Sequence, residues 1–123
     1  MLEAYSLNYT AAVNAPVEFE NVSVKKGCTA VTAGDATFNL NKCGVYMVSV
    51  DASAGTATTL QLYKDGVAQP QAQSTGTSPA FVTLVQVAHN NGNCCCQSPV
   101  ALQIRNTTAT TLTNVNICIT KVC

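Results

Sequence analysis

A chain of 123 residues is long enough for one hydrophobic core and too short for two, so no internal domain boundary is expected. Apolar residues make up 47% and charged residues only 10%, which excludes the charge-rich, core-poor composition of disordered proteins. Six Lys and Arg balance six Asp and Glu, and no basic run exceeds Lys25-Lys26, so nucleic acid is excluded as a partner. The low charge density predicts that some apolar surface is covered by association.

The N-terminal stretch MLEAYSLNYTAAVNAPVEF has an acidic Glu3, no basic start and no unbroken apolar run, so it does not read as a signal peptide. The chain holds no apolar run of about eighteen residues, which excludes a membrane helix. Beyond this stretch the pattern is short and alternating, with Thr and Val at high density, and predicts strands. In TFNLNKCGVYMVSVDASA, Phe38 and Leu40 alternate with Asn39 and Asn41. After a bend at Cys43-Gly44, Tyr46, Val48 and Val50 take one face and Met47 and Ser49 the other. TTLQLYKDGVAQP places Leu60 and Leu62 on one face and runs into Asp65-Gly66, a strong hairpin signal. Gln69-Pro70 is expected to stop the pairing, and QAQSTGTSPA at 71–80 reads as a loop.

FVTLVQVAH carries Phe81, Val85 and Val87 on one face and Val82 and Leu84 on the other, so both faces should be buried, one in the core and one against another subunit. NGNCCCQSP at 91–99 reads as a loop. VALQIRN then sets Leu102 and Ile104 inward with Val100, and NVNICITKVC does the same with Val115, Ile117 and Ile119. Strands and turns at this spacing, without helices, predict an all-β antiparallel jelly-roll sandwich. The expected core is Phe38, Leu40, Tyr46, Val48, Val50, Leu102, Ile104, Ile117 and Ile119.

The order F-x-L-x-x-x-G-x-Y-x-V-x-V at 38–50, followed by TLQLYKDGVAQ at 59–69, resembles the C1q/TNF-like jelly roll. FVTLVQV, VALQIRN and NVNICITKV would supply its last three strands. With the CCC run and a terminal cysteine, the motifs also resemble small structural proteins of phages and prophages of gut Firmicutes. The resemblance covers the chain from about Pro16 and implies a compact homotrimer used as a surface knob, tip or virion component. No collagen-like or heptad stalk precedes the domain, so the expected organisation is a docking segment at 1–15 and one jelly-roll domain at 16–123.

The seven cysteines raise three chemistries. A zinc centre would draw on His89, Cys94, Cys95 and Cys96, but alternate side chains of an extended segment point apart, and C-x-C is not the usual ligand spacing. No metal or cofactor is therefore expected. A redox enzyme would need C-x-x-C beside a βαβ unit, and neither is present. Crosslinks remain, with Cys28, Cys43, Cys94, Cys95, Cys96 and Cys123 as candidates at strand ends and Cys118 as a small buried residue. An odd number leaves at least one thiol free or paired between chains. Such bonds would form after release from a reducing cytosol.

Catalysis finds no motif. His89 is the sole histidine, Asp35, Asp51, Asp65 and Glu18 read as turn or strand-edge residues, and no G-x-S-x-G or P-loop occurs. Tyr5, Tyr9, Tyr63 and Phe81 suit recognition or packing alike. The expectation is a non-enzymatic homotrimer on a phage virion surface, as capsid decoration, head fibre or neck and tail attachment, made in the host cytoplasm. Met47, Val82 and Leu84 would pack around its threefold axis, and residues 1–15 would dock onto other virion proteins. The alternative is a trimeric adhesin whose loops at 70–80 and 89–99 bind a host glycan or mucin.

Overall fold

Alternation of inward apolar and outward polar residues builds two antiparallel sheets that bury their inner faces against each other. The computed structural model describes residues 2–25, 31–33, 36–87, 89–90, 93–96, 100–107 and 110–122, and the side chains of these except 11, 23–25, 31–33, 89–90 and 93–96. In chain order the strands are β1 (Leu2–Ala11), β2 (Asn21–Lys25), β3 (Val31–Ala33), β4 (Phe38–Leu40), β5 (Gly44–Ala54) and β6 (Thr58–Lys64). They continue as β7 (Val67–Gly76), β8 (Ala80–Val87), β9 (His89–Asn90), β10 (Asn93–Cys96), β11 (Val100–Asn106) and β12 (Thr110–Lys121). The first sheet has the order β2-β1-β12-β5-β8 and the second β3-β4-β11-β6-β7, while β9 and β10 form a separate ribbon.

Between the sheets, Phe38, Leu40, Tyr46, Val48, Val50, Leu102, Ile104, Ile117 and Ile119 are buried, joined by Leu2, Leu60, Leu62, Leu112 and Val115. The Tyr46 hydroxyl lies deep but donates to the Lys42 carbonyl at 2.6 Å, so its burial leaves no polar group unsatisfied. Thr58 donates to Asn106, and both are buried.

The bend at Cys43-Gly44 carries the chain from one sheet to the other, since β4 belongs to the second and β5 to the first. Gly44 has φ 141°, a conformation that side chains resist. The β6–β7 hairpin turns on Asp65 (φ 50°) and Gly66 (φ 82°), and Asp65 Oδ1 accepts from the Ala101 amide at 2.9 Å, tying the turn to β11. A Cβ on Gly66 would meet no atom within 4 Å, so only the backbone resists it. Gly66→Ala is therefore expected to cost roughly 1 kcal/mol in urea unfolding. A neutral result would show that the turn relaxes to another type.

Three expectations are corrected. Residues 2–11 are not separate from the jelly-roll domain: β1 lies inside the first sheet between β2 and β12, and Leu2 and Ala4 are fully buried. The first strand thus precedes Pro16, which instead forms an isolated bridge to Arg105. The connection at 12–20 crosses to the second sheet, where the Asn14 and Val17 amides each donate at 2.7 Å, to the carbonyls of Asn106 and Ile104. Val17 and Phe19 enter the core, with Phe19 edge-on to Phe38 at 5.4 Å. Buried Ser6 holds this connection by donating to the Glu18 carbonyl at 2.6 Å and accepting from the Glu20 amide at 2.8 Å. Glu18 itself is exposed and lies outside the strands.

Residues 71–80 are not a loop. Pro70 sits within β7, which continues to Gly76, and only 77–79 turn the chain toward β8. A proline is tolerated here because β7 is the sheet edge and its register with β6 shifts between Gln61 and Tyr63. Finally, Cys94, Cys95 and Cys96 lie in β10, paired with β9, rather than in a loop.

Candidate functional site

Register places four strands of the first sheet side by side and defines what its outer face presents. At one end the row is Thr120, Met47 and Leu84, and the next row is Glu3, Cys118, Ser49 and Val82. Below these come Tyr5, Asn116, Asp51 and Ala80, then Leu7, Asn114 and Ser53. Met47 and Leu84 are direct cross-strand partners, and Val82 pairs with the residue two places along from Met47. Their side chains therefore share one corner of the face.

That corner is open to solvent: Val82 and Leu84 are each 62% exposed and Met47 37%. Their neighbours on the same strands, Val48, Val85 and Val87, are buried on the core side. Leu7, 58% exposed, stands at the diagonally opposite corner on β1. Between the two apolar corners Glu3, Ser49, Asp51, Asn116, Ile117 and Cys118 line a pocket of about 230 Å³. Cys118, expected to be buried, is instead half-buried at this pocket as a free thiol, with Sγ 3.9 Å from Thr120 Oγ1. Asp51, expected at a strand edge, belongs to this face as well.

The outer face of the second sheet differs in kind. Asn39 and Ala101 are paired, as are Gln103 with Tyr63, Arg105 with Gln61, and Thr59 with Thr75. Its large exposed aliphatic residue among those described is Val67, at the hairpin. One outer face is thus apolar at two corners, and the described residues of the other are mainly amides and hydroxyls, with Val67 at one end.

Of the cysteine candidates, Cys43 is half-buried at the bend between β4 and β5. Cys28 and Cys123, and the side chains of Cys94, Cys95, Cys96 and His89, lie outside the described residues, as does Asp35. Among the described residues no group of three His, Cys, Asp or Glu could hold a metal ion. Tyr5 faces outward beside the pocket on β1, Tyr9 donates to the Pro16 carbonyl at 3.4 Å, and Phe81 packs against the core. The face partner on β1, Leu7, escaped the sequence reading because its strand was assigned to a docking segment. The alternation of Leu2, Ala4 and Ser6 with Glu3, Tyr5 and Leu7 suits a strand but does not by itself say which face is buried.

No protein-family model matches the chain, and no curated protein sequence does. Solved structures do resemble it. The globular domain of zebrafish complement 1qA superposes with a TM-score of 0.75 at 12% identity, over 99% of this chain and 96% of that one. The vertex protein P5 of phage PRD1 gives 0.68 at 14% identity over 99% and 96%, and murine APRIL 0.64 at 9% over 98% of each. The fold is therefore the C1q/TNF-like jelly-roll sandwich. Proteins of this fold typically trimerise and are generally not catalysts.

Proposed function

We propose that this chain is a non-enzymatic structural protein that assembles as a homotrimer through the outer face of its first sheet and is displayed on a phage virion. The observation that carries the reading is the contrast between the two outer faces: Met47, Val82, Leu84 and Leu7 are exposed on one, and on the other the described residues are mainly polar, with Val67 at the hairpin as the large exposed aliphatic. Exposed aliphatic residues at diagonal corners suit a head-to-tail contact, in which the β8 corner of one copy meets the β1 corner of the next. Such a contact, repeated by a threefold rotation, closes into a ring. The trimeric habit of the fold supports this geometry, and the likeness to a phage vertex protein supports a place on a virion.

Because β1 is committed to the sandwich, attachment to other virion components through the N-terminal segment would rest on its exposed turn at 12–14. Light scattering of the whole chain, with and without reductant, tests the assembly: a trimeric mass in both conditions is expected. A monomer would overturn it, and a trimer held only without reductant would move the contact to the cysteines. Gold-labelled antibody against the chain, applied to purified particles, tests the location. Unlabelled particles from a producing host would overturn the virion assignment.

A further inference from the structure

The outer face of the second sheet carries a cation that the assembly does not use. Arg105 lies opposite Gln61 of β6, with Pro16 bridged on its other side, and is partly buried. Its guanidinium carbon is 4.3 Å from the centroid of the Tyr63 ring, and Nη2 donates to Gln103 Oε1 at 3.1 Å. Gln103 donates in turn from Nε2 to Thr37 Oγ1 at 3.0 Å, which turns its amide oxygen toward the arginine. These contacts hold the guanidinium over the sheet, yet neither partner is a carboxylate, and Nε is buried without a hydrogen-bond partner. Among the described residues no carboxylate pairs with this partly desolvated cation, and an anion from outside would offset the electrostatic cost. The aromatic ring beneath supplies attraction but no neutralising charge.

The neighbours indicate what kind of anion. Gln61 and Gln73 share a cross-strand row with Arg105, and the Thr59 and Thr75 hydroxyls bond each other at 2.6 Å one row away. Gln61 donates to the Gln69 carbonyl at 2.7 Å, which orients its amide. Neutral donors and acceptors of this kind match sugar hydroxyls, and among the described residues of the face the large exposed aliphatic side chain is Val67, away from this row at the hairpin. A planar guanidinium reads carboxylate or sulfate groups. We infer that this face binds an acidic saccharide, its carboxylate or sulfate on the terminal nitrogens of Arg105 and its hydroxyls on Gln61, Gln73 and Gln103. The site lies on the sheet opposite the assembly face, so it holds for a monomer too. A trimer would add avidity.

Amide NMR of the whole chain, titrated with sialyllactose, a heparin-derived tetrasaccharide and lactose, tests the inference. Shifts confined to β6, β7 and β11 are expected with an acidic probe and not with lactose. Sialyllactose alone would identify a carboxylate ligand, and heparin alone a sulfate. Arg105→Gln, with native mass and melting unchanged, is expected to lose at least about tenfold in affinity. Tyr63→Phe, which keeps the ring, is expected to bind within roughly twofold of the parent. Should Arg105→Gln fail to fold, Arg105→Lys keeps the charge without the planar fork and is expected to weaken binding. Silence with both acidic probes, equal shifts with lactose, an unchanged affinity in the foldable variant, or full displacement by polyglutamate would overturn the site.

Discussion

Leu84→Lys is expected to convert the proposed trimer to monomers without unfolding the subunit. The side chain is 62% exposed and points away from the core, so the isolated fold tolerates the change. In the ring, each contact would bury an ammonium among Met47, Val82 and apolar residues of the neighbour, at a penalty of several kcal/mol per ion. Three such contacts exceed what an interface of ordinary strength supplies. Light scattering should report a mass falling to that of a single chain, with the urea midpoint of the monomer unaltered. Leu84→Ala, which removes area but adds no charge, should weaken the trimer less. A full trimer in the Lys variant would place the contact on another surface.

Removal of residues 1–15 is expected to abolish folding. β1 pairs with β12 along nearly its whole length and with β2 on its other side, so the deletion leaves β2 without its sheet neighbour and β12 with β5 alone. It also takes Leu2, Ala4 and Ser6 out of the interior. The milder Leu2→Ala should cost about 2–5 kcal/mol, against a total stability of about 5–15 kcal/mol for a domain of this kind. Urea unfolding followed by circular dichroism reads both variants. A truncated chain that still unfolds cooperatively at the parent midpoint would return these residues to a docking role.

Why the sequence revealed one end of the sandwich and hid the other follows from side-chain size. In β5 the inward positions are Tyr46, Val48 and Val50, large or branched residues whose alternation is unmistakable. In β1 they are Leu2, Ala4 and Ser6, while larger Tyr5 and Leu7 point outward, so the hydrophobic pattern nearly favours the wrong face. Ser6 is buried for its hydrogen bonds to Glu18 and Glu20, a pairing that no local pattern announces. In β7 only Ala72 is fully buried, and a proline at an edge strand resembles a loop signal. The apolar corner was legible because FVTLVQV carries branched residues on both faces. Arg105 was not, since what distinguishes it is Tyr63 on another strand rather than anything adjacent in the chain.

The pairing of β1 with β12 also sets a timetable. While the ribosome extends the chain, β1 has no neighbour on its β12 side, and the first sheet stays open until residues 110–121 emerge. Closing so long a loop adds little to the equilibrium cost, which grows only as the logarithm of length, but it delays folding. The assembly face spans β1, β5, β8 and β12, and is therefore completed only by that last insertion. An interrupted chain offers its siblings no finished surface, so in the proposed assembly the topology itself acts as an inspector, admitting only subunits synthesised through β12.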